Sequence, residues 1–167
     1  MKNRGQFFTP EKVAQKMISE SKKYLKKGLV NVLDPCFGKG IFIKKLLENK
    51  NFKTIIYGYE IEKKFYKFTK SKFTYFNKSL NLYNSDYLKE TISKKFDFII
   101  INPPYVRHEL IKKKYKEHIS EYLQKRYKLR INKQCNLYVY FILKSLLELK
   151  ENGVFTFIVY DAIEYTR

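Results

Sequence analysis

Asn102-Pro103-Pro104-Tyr105 follows directly on the apolar run Phe96-Asp97-Phe98-Ile99-Ile100-Ile101, and these residue types suit one kind of chemistry. An Asn side-chain oxygen and a carbonyl presented by a stiff Pro-Pro turn form a pair of acceptors that can converge on a single amino group. Tyr105 adds a flat face beside them. Such a pocket fits a planar base bearing an exocyclic amine. On these four residues alone, a proline-rigid turn with Tyr105 merely packing is the competing reading.

A second constellation, Asp34-Pro35-Cys36-Phe37-Gly38-Lys39-Gly40-Ile41-Phe42, lies where a first strand hands over to a helix. Glycines there let the backbone approach a ligand, and the helix start offers unpaired N–H groups. Downstream, the strand Ile55-Ile56-Tyr57-Gly58-Tyr59 ends at Glu60, placed to accept hydrogen bonds from ribose hydroxyls. The loop lacks the Gly-Lys-Ser/Thr ending of a phosphate-binding loop, and Asp34 would repel a pyrophosphate. A cationic, phosphate-free nucleoside suits it better, and S-adenosylmethionine is such a molecule. Asp86, in Asn84-Ser85-Asp86-Tyr87, is then a candidate acceptor for the adenine amine. Acids at strand ends also commonly cap the next helix, so that role stays open for each.

The elements that must hold these residues alternate. Thr9 as N-cap, Pro10 at the first helical position and Glu11 near the positive dipole end open a helix that carries Val13, Met17, Ile18, Tyr24 and Leu25 and closes at Gly28. Val30 to Leu33 reads as a strand, Ile41 to Glu48 as a helix, Lys53 to Tyr59 as a strand and Glu62 to about Phe76 as a helix. Ser79 to Tyr83 reads as a weak strand and Phe96 to Ile101 as a strong one. Asn136 to Lys150 is a strongly apolar helix, Glu151-Asn152-Gly153 a turn, and Val154 to Tyr160 a last strand. Strands alternating with helices predict an α/β chain with about five parallel strands joined by right-handed crossovers. A sheet ending there leaves an edge to be paired or covered, so the expectation is an incomplete sheet whose last strands are missing.

The 167 residues fit one domain, and 44% hydrophobic residues suffice for a packed interior. The formal charge of +19 favours a polyanionic partner. Of the 35 basic residues only Arg4, Arg107, Arg126, Arg130 and Arg167 are arginines, a bias that also arises from a low-GC coding sequence, so local clustering is the better guide. Residues 106–133 hold ten basic residues against Glu109, Glu117 and Glu121. That segment reads either as a DNA-backbone contact or as a solvated Lys-rich helix pair. Cys36 and Cys135 are far apart and belong to no Cys-x-x-Cys pattern, which leaves disulfide and metal sites without support. No run is apolar enough for a bilayer and no signal-peptide core follows the start, so the expected location is a reducing cytoplasm, with no membrane partner.

Taken together these segments resemble the amino-methylating DNA methyltransferases, in particular the adenine-specific family related to type II and Eco57I-like restriction-modification enzymes. Gly5-Gln6-Phe7-Phe8-Thr9-Pro10 looks like the family's N-terminal cofactor motif, and Asp34 to Phe42 like its D-P-x-x-G-x-G-x-F motif. Glu60 and Asp86 match its next two acids and Asn102 to Tyr105 its N-P-P-Y. The likeness continues through Asn136-Leu137-Tyr138-Val139-Tyr140-Phe141 and the strand after Gly153. It implies a Rossmann-like S-adenosylmethionine-dependent fold, with a cofactor-motif arm and helix over 1–28, a partial catalytic domain over 29–167 and no target-recognition domain. It implies cofactor contacts at Phe8, Thr9, Pro10, Asp34, Pro35, Gly38, Gly40, Phe42, Glu60, Ile61, Asp86, Tyr87 and Asn102, and catalytic roles for Asn102, Pro103, Pro104 and Tyr105. For Phe7 and Phe8 core packing is the alternative.

The implied partners are double-stranded DNA and a second chain carrying the remaining strands and recognition domain. The implied reaction is methyl transfer to an adenine 6-amino group. Asn102 Oδ1 and the Pro103 carbonyl would hold the amine hydrogens and point the nitrogen lone pair at the sulfonium methyl. The base would be flipped out of the duplex and stacked on Tyr105. Two departures stand against the family pattern: Tyr160 or Asp161 lies where a proline is common, and Asn136 where an acid is frequent. Competing readings are an inactive remnant or a binding subunit needing a partner chain, and a methyltransferase of ribosomal RNA or of a release-factor glutamine. The Gly5-to-Pro10 motif argues against the latter two.

Overall fold

In the computed structural model, which describes residues 7–49, 53–132 and 134–159, five strands form one parallel sheet. They are β1 (Leu29–Asp34), β2 (Lys53–Tyr59), β3 (Leu80–Tyr83), β4 (Phe96–Ile101) and β5 (Leu149–Phe157), in the order β3-β2-β1-β4-β5. Five helices accompany them: α1 (Glu11–Lys22), α2 (Ile41–Glu48), α3 (Lys63–Lys72), α4 (Lys113–Tyr127) and α5 (Leu137–Glu148). A parallel strand covered on both faces needs apolar side chains on both, which is why Phe98-Ile99-Ile100-Ile101 is continuous and fully buried rather than alternating. Successive side chains still point to opposite faces. Val32, Phe98 and Ile100 join Ala14 and Ile18 of α1 and Phe42, Ile43 and Leu46 of α2 in one core. Leu33, Ile99 and Ile101 join Ile119, Leu123, Tyr140 and Phe141 of α4 and α5 in the other.

The expected α/β architecture and its parallel strands are present, with several boundaries moved. Pro10, not Thr9, occupies the N-cap position of α1, with extended backbone (φ −61°, ψ 146°) and no side-chain capping bond; the Thr9 hydroxyl is engaged with Asn102 instead. That helix ends at Lys22 rather than running to Gly28, and its exit tightens into short-range bonds from the N–H groups of Tyr24 and Leu25 to the carbonyls of Ser21 and Lys22. Helix α3 stops at Lys72 instead of about Phe76, and a 3₁₀ segment over Thr74–Ser79 follows; the break lets Phe73 turn into the first core.

Among the described residues, 106–132 hold one α-helix and a 3₁₀ turn, His108–Leu110, rather than a helix pair. The Glu151-Asn152-Gly153 turn lies inside β5: Phe96 pairs with Leu149 but Phe98 with Val154, so the extra residues bulge out, with Asn152 left-handed at φ 60°. Gly5 and Gln6 of the N-terminal motif, and the expected strand end at Tyr160, lie outside the described residues. No helix among the described residues is long and apolar enough to cross a membrane.

The second core encloses an ion pair. Lys144 is fully buried on α5, its ammonium 2.5 Å from Glu148 Oε1 and 3.9 Å above the Tyr87 ring. The Tyr87 hydroxyl donates to Glu148 Oε2 (2.8 Å) and lies 3.2 Å from Ser145 Oγ. Desolvation pulls the Lys144 pKa down and pushes that of Glu148 up, each partner opposing the drift of the other. Removing one partner leaves the other buried and uncompensated. Lys144→Met is therefore expected to cost ~3–5 kcal/mol in urea unfolding, whereas Lys144→Met with Glu148→Leu should recover most of that loss.

Candidate active site

Because every strand runs the same way, the carboxyl ends of β1 to β4 open onto one edge of the sheet, where ligand crevices of parallel α/β folds form. A cavity of about 640 Å³ lies there. Its lining includes Phe8, Thr9, Pro35, Gly38, Gly40, Phe42, Glu60, Ile61, Asp86, Tyr87, Asn102, Pro103 and Pro104. Of the residues singled out in the sequence, Pro10, Asp34 and Tyr105 are not on its wall.

The loop after β1 is shaped by two left-handed glycines, Gly38 (φ 52°) and Gly40 (φ 73°). At Gly40 a side chain is excluded twice over, since a Cβ would also lie 2.6 Å from Thr69 Cγ2 of α3. Glu60, buried at the end of β2, clamps this loop from its other side. Its Oε2 accepts from Gly38 N–H (2.9 Å) and its Oε1 from Glu62 N–H (2.7 Å). The Glu60 carboxylate thus reaches the cavity wall already oriented by two backbone donors. Asn84 holds the same corner by donating from Nδ2 to the Glu60 carbonyl (2.7 Å).

Asp34 is beneath the loop. It is fully buried; Oδ1 accepts a long bond from Cys36 N–H (3.3 Å), and Oδ2 has no hydrogen-bond partner. Burial, with a smaller contribution from the negative charge of Glu60, pushes its pKa up to about 8. The next polar group along, the Cys36 thiol, is raised well above the usual thiol range by burial and by the two carboxylates. It serves as a donor, to the Asn102 carbonyl at 3.1 Å.

Asn102 leaves β4 at the centre of the edge. Its Nδ2 donates to the Phe7 carbonyl (2.8 Å) and to Thr9 Oγ1 (3.0 Å), so both amide hydrogens are in use. A backbone carbonyl can only accept, which fixes the amide this way round. Oδ1 is consequently left buried with no partner. Pro103 is buried behind it. Tyr105 turns aside: its hydroxyl donates to the Ile158 carbonyl (2.6 Å), and its ring sits between those of Phe7 (6.1 Å, edge-on) and Tyr138 (5.9 Å).

At the other end of the cavity, Asp86 caps the 3₁₀ turn Tyr87–Lys89 through Leu88 N–H and accepts from the Tyr115 hydroxyl. Tyr87 stacks on Phe141 of α5, with centroids 5.6 Å apart. Phe8 is half exposed, packed edge-on against Phe65 and covered by the Lys39 ammonium at 4.4 Å. Cavity-lining residues to which the sequence assigned no site role include Cys36, Leu110, Ile111, Lys112, Tyr115 and Phe141. A signal for one was available: Tyr115, Ile119, Tyr122 and Leu123 follow helical spacing among the lysines.

The strand order, the glycine loop after β1 and the acids closing β2 and β3 define a Rossmann-like nucleoside-binding sheet of the S-adenosylmethionine-dependent methyltransferase type. The solved structure of a Listeria monocytogenes protein assigned to the class I methyltransferases of that type superposes with a TM-score of 0.76 at 17% identity, covering 99% of this chain and 50% of that one. The description of the Eco57I restriction-modification methylase family matches residues 17–163, and the chain belongs to that family. It is 32% identical over 158 residues to the type II methyltransferase M.AccI of Acinetobacter calcoaceticus, and 29% identical over 157 residues to M.HincII of Haemophilus influenzae. These alignments cover 93% and 94% of this chain but only 27% and 28% of the relatives, so the chain spans a little over a quarter of their length.

The buried Asp34 makes a stability prediction whose sign follows from proton linkage. From the ordinary carboxylate range up to about pH 8 the folded chain keeps a proton on Asp34 that the unfolded chain releases, so stability falls as pH rises through that window. Asp34→Asn removes the ionisation and keeps the shape. Its melting temperature should exceed that of the parent by about 3 °C or more near pH 8, with the gap closing towards pH 4, in thermal melts across that range.

Proposed function

We propose that this chain carries the cofactor pocket and catalytic turn of a restriction-modification DNA methyltransferase that methylates the 6-amino group of adenine. The observation that carries the reading is Asn102, whose amide is locked by two donated bonds with a buried acceptor left over at the cavity wall. A buried acceptor without a partner is costly, and is retained where a ligand hydrogen completes it. The matching family and the type II methyltransferases it resembles support the coarser part of this reading, methyl transfer in a restriction-modification system.

The residues present fit S-adenosylmethionine. Glu60 offers a preset carboxylate for ribose hydroxyls, Asp86 an acceptor for an adenine amine, Phe8, Phe42, Ile61 and Tyr87 apolar surface, and Asp34 a buried acid under the loop that a cationic ligand would favour in its ionised form. When bound, the cofactor supplies an electrophilic methyl group on sulfur. Asn102 Oδ1 and the Pro103 carbonyl hold the target amine and turn its lone pair towards that methyl, so the gain is in orientation and electrostatics. The base reaches them flipped from the duplex; for Tyr105 to serve as its stacking ring, the side chain would have to leave the Ile158 carbonyl and the Phe7 and Tyr138 rings and swing to the cavity. Residues 1–28 serve as cofactor-motif arm and helix and 29–167 as part of the catalytic domain; target recognition falls to a further domain or partner chain. The working location is the cytoplasm, in keeping with the two free thiols, Cys36 and Cys135.

Asn102→Ala is expected to keep S-adenosylmethionine affinity within about threefold while lowering methyl transfer by about 10²–10³. The assay follows labelled methyl entering duplex DNA in a complex that includes a recognition domain; turnover close to the parent's would overturn the assignment. The basic surface of 106–132 should give sequence-independent DNA binding that weakens at least tenfold between roughly 50 and 200 mM salt, measured by fluorescence anisotropy.

A further inference from the structure

Tyr115, in the first turn of α4, lines the cavity. Its hydroxyl donates across the Asp86 carboxylate, 2.8 Å from Oδ2 and 3.0 Å from Oδ1. Leu88 N–H approaches the same group at Oδ1, at 3.2 Å. Burial together with the Asp86 charge raises the pKa of the hydroxyl, so it stays a donor over the whole working pH range. A carboxylate has about four acceptor directions. Here the hydroxyl bridges the two that face it and Leu88 takes a third, which leaves one, on Oδ2.

We infer that Tyr115 is a positioning residue for the nucleoside: it locks the Asp86 carboxylate so that Oδ2 alone accepts one N–H from the exocyclic amine of the cofactor's purine, selecting a 6-amino over a 6-oxo base. This rests on the reading of the cavity as an S-adenosylmethionine site. A 6-oxo purine would set its own oxygen lone pairs against a carboxylate that can neither rotate away nor donate. The selecting group is therefore shared between the turn after β3 and the basic helix α4, which cannot move without releasing Asp86.

The test compares binding of S-adenosylhomocysteine and S-inosylhomocysteine by calorimetry. The parent chain should prefer the adenosyl compound. Tyr115→Phe keeps the ring and removes the hydroxyl; it should weaken the adenosyl compound about tenfold and change the inosyl compound by less than about twofold, shrinking the preference. A purely packing role would weaken both in step, and that result, or no change in either, overturns the inference. Asp86→Asn provides an independent reading. With Tyr115 and Leu88 still donating to the amide oxygen, Nδ2 replaces Oδ2 towards the cavity, and the preference should move to the inosyl compound. An Asn variant that retains the parent preference overturns the inference as well. A parent chain that binds neither compound would instead sink the cofactor reading on which it stands.

Discussion

The acceptor at Asn102 exists because both hydrogens of its amide are used elsewhere. The Phe7 carbonyl and the Thr9 hydroxyl take them, and the Cys36 thiol takes the backbone carbonyl of the same residue. Two separate segments therefore converge on one residue of the turn after β4: the stretch leading into α1 on its side chain and the loop after β1 on its backbone carbonyl. The parallel sheet makes this convergence possible by delivering β1 and β4 as neighbours with the same polarity. Without the two donated bonds the amide could turn and satisfy its oxygen on the protein, and the cavity would lose its directional acceptor.

The same edge concentrates groups that a stable fold would avoid. Asp34 Oδ2 and Asn102 Oδ1 are buried without partners, and Asp34 stays protonated up to about pH 8 because burial makes its charge costly. Glu60 shows the contrasting solution, a buried carboxylate quieted by two backbone N–H groups. The difference separates a carboxylate satisfied by the loop it holds from two buried acceptors left without partners. Stability is supplied by the two cores on either side of the sheet, where the buried Lys144 and Glu148 are paired and Tyr87, on the cavity wall, is tied into the pair.

Much of this was legible in the sequence, for physical reasons that also mark where legibility ends. The runs that became β1, β2 and β4 carry apolar side chains for both faces of a sheet, and α2 was placed to the residue because a left-handed glycine precedes it and its apolar face is regular. Strand-end acids and the Asn-Pro-Pro-Tyr turn could be placed at one edge because parallel strands allow no other arrangement. Thr9 was read as a cap from its local neighbours, whereas its hydroxyl answers to Asn102, far along the chain. Asp86 reads in the sequence as a ligand acceptor or a cap; the cap is present, and the bond from Tyr115 is a contact between a strand end and a helix that short-range spacing does not contain. Lys144 sits in a strongly apolar run, but its burial beside a partner one turn on is visible only when the helix is wound. The bulge at Asn152 shows the limit of a turn signal: the three residues do turn, yet the ladder continues on both sides.

The bonds from Asn102 to Phe7 and Thr9 join residues more than ninety positions apart in the chain, to a segment otherwise held by helix α1 and by ring contacts of Phe7 with Tyr105 and Phe8 with Phe65. Contacts of such sequence separation close late and open early, because their loop entropy is recovered only after the intervening sheet is assembled. Residues 7–9 can therefore part from Asn102 in a local fluctuation while the strands stay paired, and the molecule would then be whole by any measure of its core yet blunt at its working edge.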